Sequence, residues 1–135
     1  MQRLQFEPTW DKALSDKDRS LINLTHSETK ARANNRIEFI RIREAFNHRG
    51  ELLVMVLIHN STKTAFRFQE EKLRYVEGSN LIAVHTYTLP SVISEPETSM
   101  PWTFIFPVES LRSKPVLENG SLEFVSIDSD YVNPI

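Results

Sequence analysis

Residues 52–58 read Leu-Leu-Val-Met-Val-Leu-Ile, apolar at every position. Such a run crosses a membrane, forms a buried helix or forms a buried strand. A membrane helix needs about 20 apolar residues, and a buried helix about 10 to 12. This run is strand-sized and partly β-branched, so it reads as a central strand. Side chains alternate between the faces of a sheet, so apolar residues at both parities require cover on both sides. The chain must therefore build layers on either side of this segment.

The neighbouring sequence supplies them. From Arg36 the pattern has period two: Ile37 and Phe39 alternate, then Ile40 and Ile42 resume on the opposite parity. That shift predicts a bulge or kink. Asn47-His-Arg-Gly and Asn60-Ser-Thr-Lys are turns, and Phe66, Phe68, Leu73 and Tyr75 alternate with polar residues over 65–76 as a strand or two. Glu77-Gly-Ser-Asn is a hairpin signal. Leu81 to Leu89 reads as a strand ended by Pro90, and Pro101 as the start of the next, with Trp102, Phe104 and Phe106 on one face. A last strand covers Leu122 to Ile127. Roughly six or seven short strands, with turns about every eight to twelve residues, predict an antiparallel β-sandwich of immunoglobulin-like type. It spans 36–127, followed by a loosely held tail over 128–135.

Residues 1–35 behave differently. Ser15-Asp-Lys-Asp is a capping box, Asp16 and Asp18 suit the positive end of a helix dipole, and Leu21, Ile22 and Leu24 supply a modest apolar face. These predict one N-terminal α-helix over about 16–31, ended by Asn34-Asn35 and packed across the sandwich. The whole is one domain.

Composition excludes several function classes. There is no cysteine, which removes thiol catalysis, disulfides and cysteine-held metals. Sixteen basic against eighteen acidic residues leave a charge of −2, without the basic stripe that phosphate neutralisation demands, so no nucleic-acid partner is expected. The N-terminus lacks an apolar signal-peptide core, so the reading is cytoplasmic with no membrane insertion. The matches to the N-glycosylation pattern at Asn23, Asn60 and Asn119 are then chance occurrences.

A search for catalytic chemistry yields little. With only Gly50, Gly78 and Gly120 in the chain, no phosphate loop or dinucleotide fingerprint is available. No nucleophile elbow occurs. His26, His48, His59 and His85 have no metal-ligand spacing, and no cofactor is expected. A hydrolase built on His59 or His85 would need a nucleophile or metal beside the imidazole in a pocket. Glu70 and Glu71, adjacent on a strand, face opposite ways and make no acid pair. Arg41, Arg43, Arg67 and Arg74 read as a solvated face. The aromatic residues Trp10, Tyr75 and Tyr87 are the candidates for partner binding, Trp10 also serving to pin the N-terminal segment.

Several segments together resemble the SLAP domain, the repeated domain of accessory Sec system S-layer assembly proteins of Firmicutes. They are Phe6-Glu-Pro-Thr-Trp, Leu57-Ile-His-Asn and Ser99-Met-Pro-Trp-Thr-Phe-Ile-Phe-Pro within residues 2–127. The resemblance implies a non-enzymatic module that binds a protein partner or associates with itself, in S-layer assembly or accessory secretion. The competing expectation is a carbohydrate or cell-wall-polymer module using Trp10 or a Tyr75/Tyr87 face.

Overall fold

The computed structural model describes residues 3–7, 15–29 and 35–125. Its seven strands are β1 (Arg3–Leu4), β2 (Ile37–Phe46), β3 (Leu52–Asn60), β4 (Phe66–Glu77), β5 (Asn80–Ser94), β6 (Thr98–Phe106) and β7 (Gly120–Phe124). One helix, α1 (Asp16–Thr29), precedes β2, and a single 3-10 turn (Val108–Ser110) follows β6. One sheet has the order β1-β6-β3-β2 and the other β5-β4-β7.

The predicted sandwich is present, and β3 lies at the middle of its sheet as its apolar run requires. Leu52, Val54, Val56 and Ile58 face the second sheet, while Met55 and Leu57 face a separate cluster with Ile22 of α1. The two sheets, of four and three strands, make the sandwich without any disulfide. The sheets are not wholly antiparallel. β1 pairs β6 in parallel, Arg3 opposite Thr98 and Leu4 opposite Ser99, because the N-terminal segment runs along an edge that no hairpin fills.

The main core is largely aromatic. Phe39 of β2 and Phe104 of β6 meet Phe68 of β4, with centroids 6.4 Å from Phe39 and 5.6 Å from Phe104. Phe124 stacks on Phe39 at 5.0 Å. Phe104 and Phe106 are buried and Trp102 is half-buried against the same core, as their alternation predicts.

Three readings change. The parity switch in β2 does not mark the bulge, which falls two residues further on, between Arg41 and Arg43. Ile37 and Phe39 enter the main core while Ile40 and Ile42 enter the cluster under α1, so both faces of β2 carry apolar residues. β5 does not stop at Pro90 but continues to Ser94, because β5 is an edge strand and its register slips between the Phe68–Leu89 and Arg67–Ile93 pairs, where a missing donor costs nothing. β6 begins at Thr98, not at Pro101. The Ser99 carbonyl accepts from the Gln5 amide at 2.7 Å, so the backbone of Pro101, two residues on, also faces the outer edge and interrupts no ladder to β3. The last strand is Gly120–Phe124, and residues 126–135, with the predicted tail, lie outside the described residues.

The capping signal is borne out: the Asp18 amide donates to the Ser15 hydroxyl at 3.1 Å. α1 lies on the outer face of the first sheet, with Ile22 buried against Met55 and Leu57. Arg43 reaches Asp18 at 3.2 Å, and Arg19 stands 5.3 Å over the Phe6 ring. Residues 30 and 31, which the predicted helix included, are outside the described residues.

Candidate interaction surface

The sequence-predicted aromatic platform does not exist at the tyrosines. Tyr75 is fully buried, its hydroxyl donating to a Glu44 carboxylate that also holds Arg41 at 2.8 Å. Tyr87 is buried too, donating to the Ile105 carbonyl at 2.8 Å and packing edge-on against Phe104 and Phe106. Burial raises both phenols far above the ordinary tyrosine range, and at Tyr75 the bond to Glu44 adds to it. Leu73 and Tyr75 alternate with Arg74, and that apolar face is the inner one, which Tyr87 joins from β5. Trp10 lies outside the described residues.

The histidines also separate. His59, on the outer face of β3, is 2 % exposed, while His85 lies on the other sheet with its ring 4.9 Å from that of Tyr87. The His59 Nε2 meets the Thr29 hydroxyl at 2.7 Å and its Nδ1 meets the Ser99 hydroxyl. Thr29 donates its own proton to the Thr25 carbonyl at 2.7 Å, so it accepts from Nε2–H and leaves Nδ1 to accept from Ser99. A serine beside an imidazole is the start of a nucleophilic pair. This one is buried: Ser99 has no exposed surface and His59 is 2 % exposed. Its geometry ties the last turn of α1 to β3 and β6. The neighbouring Asn60, also fully buried, donates to the Thr64 and Ser94 carbonyls, each at 2.9 Å, and accepts from the Thr62 amide at 3.0 Å. The polar residues of the Leu57-Ile-His-Asn and Ser99-Met-Pro stretches are thus joints of the fold. Among the described residues, no group of acidic and histidine side chains could hold a metal ion, and no helix is long and apolar enough to cross a membrane.

Most of the arginines on or beside the strands are paired. Arg36 pairs Glu38 at 3.3 Å, Arg41 pairs Glu44, Arg43 pairs Asp18, and Arg74 pairs Glu123. Arg67 is exposed, in keeping with a solvated face. Glu70 and Glu71 are separated by a bulge, with Glu70 in the left-handed region at φ 51° and its amide on the Thr88 hydroxyl at 2.9 Å.

Exposed apolar surface gathers at one end of the sandwich, where the β2–β3 and β4–β5 turns lie. Phe46, Leu81, Ile105, Val108 and Val116 are exposed there, against Leu24 alone on the helix. Residues 107–119 form a strap across this end. Leu111 bridges to Ala83, the Arg112 amide donates to the Ile82 carbonyl at 2.6 Å, and the buried Glu77 carboxylate accepts from the amides of Val116 and Leu117 at 3.0 and 2.8 Å. Between the strap and β2 lies a shallow cleft of about 430 Å³ lined by Phe46, Leu111, Arg112, Ser113, Lys114 and Pro115. A second hollow, about 550 Å³, lies beside β1 and offers Arg3 together with Glu95 and Glu97, charges of both signs. The sequence analysis missed the strap because, beyond the turn at 107–111, the contacts that hold it are long-range. Glu77 and Leu117 are 40 residues apart.

The fold and these surfaces define a small two-sheet β domain with a helix laid across one sheet. The family model of the SLAP domain matches residues 4–124, nearly the whole chain, and the chain belongs to that family. No curated relative and no solved structure matches.

Proposed function

We propose that this SLAP domain is a non-enzymatic protein-interaction module acting in S-layer assembly or accessory secretion. It would dock an exported protein, a secretion component or a second copy of itself. The family match over residues 4–124 carries the reading. Two features of the structure support it: the contact between His59 and Ser99 is buried, and exposed apolar residues collect at one end of the sandwich. Surface of that kind is where proteins meet partners. The buried tyrosines take away one of the two aromatic surfaces on which polymer binding was to rest, the other being Trp10. The test is cross-linking and capture with the tagged chain in a Gram-positive host that builds an S-layer, beside sizing of the purified protein. Recovery of a defined exported or secretion protein, or a stable self-complex, supports the proposal. Neither, with a strict monomer, sinks it.

A further inference from the structure

We infer that the cleft between β2 and the strap docks an acidic segment of a partner polypeptide, with a large apolar side chain flanked by carboxylates. The inference rests on the interaction-module reading and names the chemistry of the partner. Three observations lead to it. The floor is apolar: Phe46 is 43 % exposed and Leu111 half-buried, with Pro115 buried beneath them. The rim carries Arg112 and Lys114, both exposed, and neither makes an ion pair among the described residues, whereas Arg36, Arg41, Arg43 and Arg74 each have a carboxylate. No carboxylate lines the cleft. The two cations also sit on backbone that is already fixed, by the Ile82 carbonyl on one side and the Glu77 carboxylate on the other.

Each observation has a physical consequence. An apolar floor binds a side chain by removing both surfaces from water. Unpaired cations above it attract carboxylates and need break no existing pair to do so. A fixed strap loses little conformational freedom on binding, so more of the contact energy appears as affinity. Carboxylates enter only on the far side of Lys114, where Glu77 and Glu118 line the neighbouring hollow, so within the cleft an acidic segment meets cations without a competing acid. A polyanion without side chains would use the cations and leave the floor uncovered. A polypeptide uses both.

The test titrates the isotope-labelled full chain with the acetylated peptide Glu-Asp-Leu-Phe-Asp-Glu and follows amide shifts. Saturable shifts should centre on residues 46 and 111–114. The double variant Arg112→Glu, Lys114→Glu, which alters only exposed side chains, should weaken binding by about tenfold or more and bind Lys-Lys-Leu-Phe-Lys-Lys instead. Phe46→Ser should weaken binding with the charge dependence unchanged. Circular dichroism melts of each variant establish that the sandwich is intact, and a variant that melts early is replaced by Arg112→Gln, Lys114→Gln. Absent shifts, shifts centred elsewhere, or equal binding of Glu-Asp-Ser-Ser-Asp-Glu or inorganic polyphosphate would overturn the inference. A partner captured in cells whose binding ignores the double variant overturns the cleft and leaves the interaction module standing.

Discussion

Tyr75 and Gly120 occupy one another's only available space. A methyl group at residue 120 would fall inside the Tyr75 hydroxyl and ring, so the β4–β7 pairing there depends on a missing side chain. Gly120→Ala is expected to cost about 1–3 kcal/mol through overpacking, read from the midpoint of chemical denaturation. An unchanged midpoint would mean that the ring can turn aside. The two buried phenols also set a pH dependence. Their folded titration lies above the unfolded value of about 10. The folded state therefore keeps protons that the unfolded chain releases. Their stabilisation is complete below about pH 10 and is lost as pH rises beyond it, by at most about 1.4 kcal/mol per pH unit for each tyrosine. Stability measured against pH should fall on the alkaline side and flatten in Tyr87→Phe. A profile identical to the parent's would contradict the burial of that hydroxyl.

Among elements, α1 is the least supported by its own sequence. Only Ile22 and Thr29 are buried on it, and its cover of β3 rests on that isoleucine, the Ser15 cap and the Thr29–His59 contact. Ser15→Ala should cost about 1 kcal/mol and Ile22→Ala about 2–5 kcal/mol. In hydrogen exchange both should release α1 amides before those of β3. Uniform acceleration across the sandwich would instead mean that helix and sheets open together. The strap offers the opposite case, an element without periodic sequence whose second half is held by one side chain. Glu77→Ala deprives the Val116 and Leu117 amides of their acceptor and should cost about 2–3 kcal/mol, with faster exchange at those two amides. If their exchange stayed slow, the carboxylate would not be what holds the strap.

At the scale of the whole molecule, the two sheets share one core. Phe104 touches Phe39 at 5.6 Å, Phe68 at 5.6 Å and Tyr87 at 5.2 Å, rings from three other strands and both sheets. Neither sheet keeps its inner face covered without the other, so unfolding should be two-state. Tryptophan fluorescence and far-ultraviolet circular dichroism should give coincident transitions, and Phe104→Ala should lower both by about 3–5 kcal/mol. Separated transitions would show the sheets to be independent.

The sequence by itself determined that β3 is central, that Ser15 caps a helix and that the 102–106 aromatics face a core. Each follows from local periodicity or from a side chain bonding within a turn of itself. It also carried the family likeness through Leu57-Ile-His-Asn and Ser99-Met-Pro. Only the tertiary structure decided which of the remaining side chains the packed layers close over. That choice buried Tyr75 and Tyr87 and turned His59 and Ser99 into a joint between α1 and two strands. It also brought Phe46 beside Arg112 and Lys114 across more than 60 residues of chain. Alternation marks the apolar face of a strand without saying what packs against it, and spacing along the chain does not encode contacts that the packing of two sheets creates.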